Sequence, residues 1–130
     1  MKKQFFILLG LIILIPQAFS AHPSVSAFAS PNDQFDTDNL TVYPRTTDDF
    51  FLSTDASKSG GFGDVYAQAR IKLYNSMGIY FGGLTNDTED IYPDQYYTSY
   101  YNTYVYKAYL YVVADANDYY WASANATLNW

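Results

Sequence analysis

From Asp64 to Tyr74 the chain alternates: Val65, Ala67, Ala69, Ile71 and Leu73 are apolar, and Tyr66, Gln68, Arg70 and Lys72 stand between them. Period two sends the two sets to opposite faces of a strand, whereas a helix would put Lys72 beside Val65 and Ala69. A half-buried strand is therefore expected. Asn75 to Gly78 offers a turn, and Ile79-Tyr80-Phe81, bounded by Gly78 and Gly82-Gly83, reads as a short return strand. Leu40 to Tyr43 and Asp49 to Ser53 are shorter strand candidates, the first closed by Pro44.

Toward the carboxyl end, the strand-like segments Thr103 to Ala114 and Tyr119 to Trp130 flank Asp115-Ala116-Asn117-Asp118, a turn-forming quartet. The expected element is a hairpin. A four-residue loop would set Tyr111 against Ala122 and Tyr109 against Ala124 on one face. On the other it would set Val112 against Trp121, Leu110 against Ser123, Tyr106 against Thr127 and Tyr104 against Asn129. The alanine face is read as core and the Asn/Ser/Thr face as wetter, an assignment that a one-residue slip would exchange.

Ahead of these strands the pattern changes twice. Lys2 and Lys3, an apolar run from Phe5 to Ile15, Pro16 and the small residues Ala18 and Ser20 make residues 1–20 an expected signal peptide of bacterial type, cleaved before Ala21. Residues 21–39, with Pro23, Pro31 and an acidic stretch from Asn32, read as a flexible acidic arm. The β-domain is expected at 40–130.

Composition narrows the options. Without residues 1–20, 110 residues remain, enough for one domain that buries roughly 60–70% of its unfolded surface. Five cations then face thirteen carboxylates, a net charge of −8, which disfavours nucleic-acid and anionic membrane partners. No cysteine is present, so neither a disulfide nor a thiolate metal site can form. No apolar run long enough for a membrane span follows residue 20. The terminal strand, ending in Leu128 and Trp130, resembles the last strand of outer-membrane barrels over about a dozen residues. The small outward residues Ala122, Ala124 and Ala126 weaken that likeness.

Tyrosine is the anomaly: 15 in all, eleven of them between Tyr92 and Tyr120. A phenol buries a ring while its hydroxyl seeks a partner, so it suits half-covered faces and recognition surfaces. Bracing of a small disulfide-free sandwich accounts for many of them. A functional platform would use Tyr104, Tyr106 and Trp121 to stack on sugar rings, with Asn125, Thr127 and Asn129 bonding hydroxyl groups. The same rings suit a protein surface, or self-assembly along an open edge.

Catalytic chemistry has few residues to use. His22 is the single histidine, two residues into the expected mature chain, so a triad, a catalytic zinc site or a two-imidazole copper brace lacks ligands. Asp48 with Asp49, or Asp115 with Asp118, are the available carboxylate pairs, both placed where turns want aspartate. Gly60-Gly61-Phe62-Gly63 lacks the lysine of a phosphate loop. Calcium is the one candidate cofactor, through Asp87, Glu89, Asp90 and Asp94 in an expected long loop from Thr85 to Gln95, with Asp33, Asp36 and Asp38 as a second acidic cluster. Sequons occur at Asn39, Asn86 and Asn125.

The combined expectation is an all-β protein: a small single-domain antiparallel β-sandwich or partial barrel of six to seven strands, secreted or periplasmic and not an enzyme. It would bind a glycan or protein surface through a Tyr/Asn-rich sheet face. The alternatives are a self-assembling surface-layer subunit, hence a homo-oligomer, and a carboxylate-based hydrolase.

Overall fold

The structure is a computed structural model that describes residues 21–88 and 94–130. Its strands are β1 Ser24–Ala29, β2 Phe35–Val42, β3 Thr46–Lys58, β4 Tyr66–Tyr74, β5 Tyr80–Asp87, β6 Asp94–Val105, β7 Lys107–Asp115 and β8 Ala122–Asn129. They form two four-stranded sheets in the orders β1-β8-β3-β6 and β2-β7-β4-β5, with every pairing antiparallel. Consecutive strands alternate between sheets except at the β4–β5 hairpin, which is the connectivity of a jelly-roll sandwich.

Alternation decides which side chains fill the space between the sheets. Val65, Ala67, Ala69, Ile71 and Leu73 are buried, so the period-two reading of 64–74 holds residue for residue. Asn75 turns the chain as expected: its carbonyl accepts from Gly78 N at 2.9 Å and its side-chain oxygen from Met77 N and Ile79 N, both at 3.0 Å. Phe50, Leu52, Val105, Leu110, Val112 and Leu128 supply the large core side chains, and alanines on β1, β7 and β8 fill between them. Two buried side-chain donors are paired with main-chain carbonyls. Lys58 Nζ donates to Phe62 O and Val65 O, and Asn86 Nδ2 donates to Thr54 O and Asp94 O across the two sheets. Of the three sequons, Asn86 is thereby inside the fold, while Asn39 and Asn125 are exposed.

Three expectations are corrected. The first is the acidic arm at 21–39, which contributes β1 and the first half of β2. Val25, Ala27 and Ala29 are buried and pair with Ala126, Ala124 and Ala122, and Ala21 exchanges two main-chain bonds with Trp130. The segment looks featureless because its inward side chains are small; main-chain pairing to β8, not bulk, holds it in place. Pro23 precedes the strand and Pro31 sits in the turn bridged by Ser30 and Asp33, so neither interrupts the ladder.

The second is the carboxyl-terminal hairpin. β7 and β8 belong to different sheets and face one another across the core. Each turns its own apolar face inward: Ala122, Ala124, Ala126 and Leu128 on β8, as expected, but Ala108, Leu110, Val112 and Ala114 on β7, with Tyr109 and Tyr111 outside. The connection crosses the sandwich instead of reversing within a sheet. Asn117 shapes it, with its side-chain oxygen accepting from Tyr119 N and Tyr120 N and its Nδ2 donating to Asp64. That bond to Asp64 holds the Asp64 carboxyl below the usual carboxylate range.

The third is the long loop from Thr85 to Gln95. Thr85 to Asp87 end β5, and Asp94 and Gln95 begin β6, a strand absent from the expectation because so little of it is buried. Among the described residues the strand total is therefore eight. The resemblance to an outer-membrane barrel ends here too: the alanines of β8 face a packed interior, and the Trp130 ring packs on Phe50 with centroids 5.7 Å apart. Among the described residues, no helix is long and apolar enough to cross a membrane.

Candidate functional site

The outward face of the β1-β8-β3-β6 sheet is built by the polar half of each alternation. β8 contributes Ser123, Asn125, Thr127 and Asn129, and β1 contributes Ser24 and Ser26. β3 adds Ser53, Asp55 and Ser57, and β6 adds Gln95 and Ser99. Register aligns them in rows. Ser24, Thr127, Ser53 and Tyr97 run across the sheet in one row, and Ser26, Asn125, Asp55 and Gln95 in the next. The floor is thus hydroxyls and amides with Asp55 near its middle, and no lysine or arginine occupies an outward position of these four strands.

Aromatic rings stand at both ends of this floor. At one end Phe51 opposes Asn129 on β8 and Ser99 on β6, and meets Tyr101 edge-on with centroids 6.1 Å apart. Phe51, Leu52, Ser53, Tyr97, Thr98, Ser99 and Asn129 line a hollow of about 180 Å³. Tyr97 and Tyr101 are 72% and 67% exposed, enough to leave ring faces open to a ligand. At the other end Trp121 stacks on Phe28 with centroids 6.2 Å apart, its main chain tied to Ser59 by two hydrogen bonds.

A bulge keeps the tyrosine row on this face. Between Asp48 and Phe50 the β3–β6 register shifts, and Asn102 takes a left-handed conformation with φ of 47°. Its N–H donates to Asp49 Oδ1 at 2.8 Å. Asparagine tolerates that φ better than most residues, and the extra residue restores Tyr104 to the outward side after Tyr101.

The structure therefore brings four of the five expected ligand residues to one sheet face. Asn125 and Asn129 sit on its floor, Tyr104 at the β6 end and Trp121 at the start of β8. Trp121 and Tyr104 are not neighbours: Ala122 pairs with Lys58 and Tyr104 with Thr47, opposite ends of β3 and on the order of 30 Å apart. Tyr106 leaves the face altogether. It lies in the β6–β7 connection, edge-on to Tyr43, and the two rings flank the Arg45 guanidinium at 5.4 and 5.2 Å. Phe51, Tyr97 and Tyr101 were not singled out from the sequence, because the faces of β6 follow only from its pairing with β3.

The remaining candidates are engaged locally. Asp48 and Asp49 accept main-chain N–H groups at the bulge, and Asp118 accepts from Gln34 Nε2 at 2.7 Å while Asp115 is exposed on β7. Asp87 accepts the Tyr66 hydroxyl at 3.0 Å, and Asp94 serves through its carbonyl to Asn86; Glu89 and Asp90 lie outside the described residues. Among the described residues no three His, Asp or Glu side chains are grouped to hold a metal ion. His22 Nδ1 is 2.7 Å from the side-chain oxygen of Asn129, at the rim of the hollow.

An eight-stranded jelly-roll sandwich with a polar, aromatic-walled outer face defines the class of this molecule. No protein-family model and no curated protein matches the chain. Among solved structures it is similar to a family 16 carbohydrate-binding module, with a TM-score of 0.50 and 10% identity over 81% of this chain and 73% of that one. A family 61 carbohydrate-binding module in complex with β-1,4-galactotriose gives 0.46 and 10%, covering 82% and 69%. The infectious bursal disease virus VP2 subviral particle gives 0.48 and 6%, covering 86% and 32%. At 10% identity, the likeness to the family 16 module is one of fold alone.

Proposed function

We propose that this protein is an exported, non-catalytic recognition protein that binds a neutral glycan on the outer face of the β1-β8-β3-β6 sheet. The observation that carries the reading is the hollow walled by Phe51 and Tyr97 over Ser53, Ser99 and Asn129. A sugar ring offers an apolar face edged by hydroxyls, and such a ligand needs an open aromatic face beside convergent amides and hydroxyls. A floor without cations suits a ligand without charge. The similarity in fold to a carbohydrate-binding module supports the same reading.

The test is a screen of immobilised neutral polysaccharides with the processed chain, followed by calorimetry on the best ligand. Tyr97→Ala and Phe51→Ala are each expected to weaken binding about five- to tenfold, on the order of 1 kcal/mol for a lost ring contact. Tyr106→Ala, away from the face, should leave affinity unchanged. Full affinity in Tyr97→Ala, or no glycan bound alongside ordered oligomers in sedimentation, would transfer the aromatic rings to self-assembly.

A further inference from the structure

The opposite face of the sandwich has different chemistry. On the outer side of the β2-β7-β4-β5 sheet, β4 presents Tyr66, Gln68, Arg70, Lys72 and Tyr74, and β7 presents Lys107, Tyr109 and Tyr111. Register places Arg70 opposite Tyr111, Lys72 opposite Tyr109 and Tyr74 opposite Lys107. Three of the five lysines and arginines that follow residue 20 therefore share one half of one face, in a chain otherwise dominated by carboxylates. Successive cations stand about 7 Å apart, Arg70 to Lys72 along the strand and Lys72 to Lys107 on the diagonal. Of the carboxylates of this face, Asp115 stands opposite Tyr66 at its far end, and Asp87 stands opposite Gln68, one diagonal step of about 7 Å from Arg70, where it is already bonded by the Tyr66 hydroxyl.

The rings beside these cations are ordered with respect to one another. Tyr109 and Tyr111 are stacked with an interplanar angle of 15° and centroids 6.3 Å apart. Lys107 Nζ lies 4.3 Å above the Tyr74 ring and Lys72 Nζ 6.0 Å from that of Tyr80. Arg70 Nε itself is covered and has no hydrogen-bond partner, so a carboxylate would meet this guanidinium through its terminal nitrogens. Gathered like charges repel, and an anionic occupant relieves that repulsion while a planar carboxylate matches the guanidinium fork.

From this charge complementarity we infer that the β2-β7-β4-β5 face is a second binding surface, whose occupant is a uronate-bearing polysaccharide. Arg70, Lys72 and Lys107 take the carboxylates, and Tyr109 and Tyr111 underlie the sugar rings. The two tyrosines favour a sugar polymer over other polyanions, since they place aromatic carbon between the charges. This inference does not depend on the neutral-glycan reading of the other face.

The experiment measures binding of the processed chain to polygalacturonate, to dextran and to a DNA duplex, at low and at high salt. Polygalacturonate should bind, dextran should not compete for this face, and affinity should fall steeply as salt rises. Arg70→Gln/Lys72→Gln, both outward and so neutral to the core, should lose more than tenfold in affinity and most of the salt dependence. Tyr109→Ala/Tyr111→Ala should lose affinity while keeping the salt dependence, and Tyr97→Ala should change neither. The inference is overturned by no binding of polygalacturonate, by undiminished binding in the charge variant, or by equal affinity for the DNA duplex. It is equally overturned by a dimer in sedimentation that the charge variant abolishes, which would assign the face to a second copy of this chain. Circular dichroism of each variant confirms the sandwich before binding is compared.

Discussion

Tyr100 on β6 reaches across the open edge of the sandwich to β5, and its coupling to Gly82 is open to a quantitative test. The Tyr100 hydroxyl accepts from Gly83 N at 2.8 Å and donates to Gly83 O at 3.3 Å, and its ring meets Phe81 edge-on. A Cβ added at Gly82 would fall 2.5 Å from the Tyr100 hydroxyl and 2.9 Å from its Cε1, closer than side-chain atoms approach. Gly82 is not among the residues of positive φ, so alanine is sterically barred by that ring alone and not by the backbone. In the wild-type chain Gly82→Ala should cost about 1–3 kcal/mol for overpacking. Tyr100→Leu should cost about 2 kcal/mol for two part-buried hydrogen bonds and the lost ring edge. In the Tyr100→Leu background the clash disappears, and Gly82→Ala should become neutral or stabilise by about 0.4–1 kcal/mol through the unfolded chain. The expected coupling is then about 2 kcal/mol, well outside the scatter of independent sites. Urea unfolding followed by tyrosine and tryptophan fluorescence and by circular dichroism gives all four stabilities. Additivity of the two substitutions within about 0.5 kcal/mol would refute the contact between β5 and β6.

Two further outcomes follow from the same geometry. Deleting residues 21–30 removes β1 and uncovers β8, so the shortened chain should lose its cooperative unfolding transition; a melting temperature equal to that of the longer chain would show that β1 contributes nothing. Burial and then the hydrogen bond to Asp87 raise the Tyr66 phenol to about 12 from an ordinary 10. Between these values the folded chain holds a proton that the unfolded chain has released, so the contribution of Tyr66 is complete below pH 10 and is lost as pH rises through about 12. Phenolate absorbance should show a late-titrating component that vanishes in Tyr66→Phe and moves earlier in Asp87→Asn, where burial alone still raises it; an unmoved titration in Asp87→Asn would exclude the bond.

How far the sequence could be read depended on how many faces a strand makes visible. β4 announced itself because Val65 to Leu73 alternate strictly with polar residues, and every assignment there stands. β8 was half legible: the inward run Ala122, Ala124, Ala126, Leu128 was assigned correctly, and with it the outward Asn125 and Asn129. β6 was opaque, since an edge strand with Tyr96, Tyr97, Tyr100 and Tyr101 in succession carries no period-two contrast. Only the Asn102 bulge and the pairing with β3 decide that Tyr97, Tyr101 and Tyr104 look outward while Tyr100 turns in. That is why the candidate site kept its asparagines and changed its rings.

The sequence by itself determined the all-β class, the alternation that divides each well-patterned strand into a dry and a wet side, and the absence of thiol chemistry. These are local properties, fixed by side-chain periodicity and by which atoms are present. Tertiary structure decided which strands share a sheet. A turn of favourable composition between β7 and β8 permits a hairpin and a crossing between sheets alike, and burial of both apolar faces against each other selects the crossing. That choice sent Tyr109 and Tyr111 to join Arg70 and Lys72 on one exterior, and left Asn125 and Asn129 with Phe51 and Tyr97 on the other.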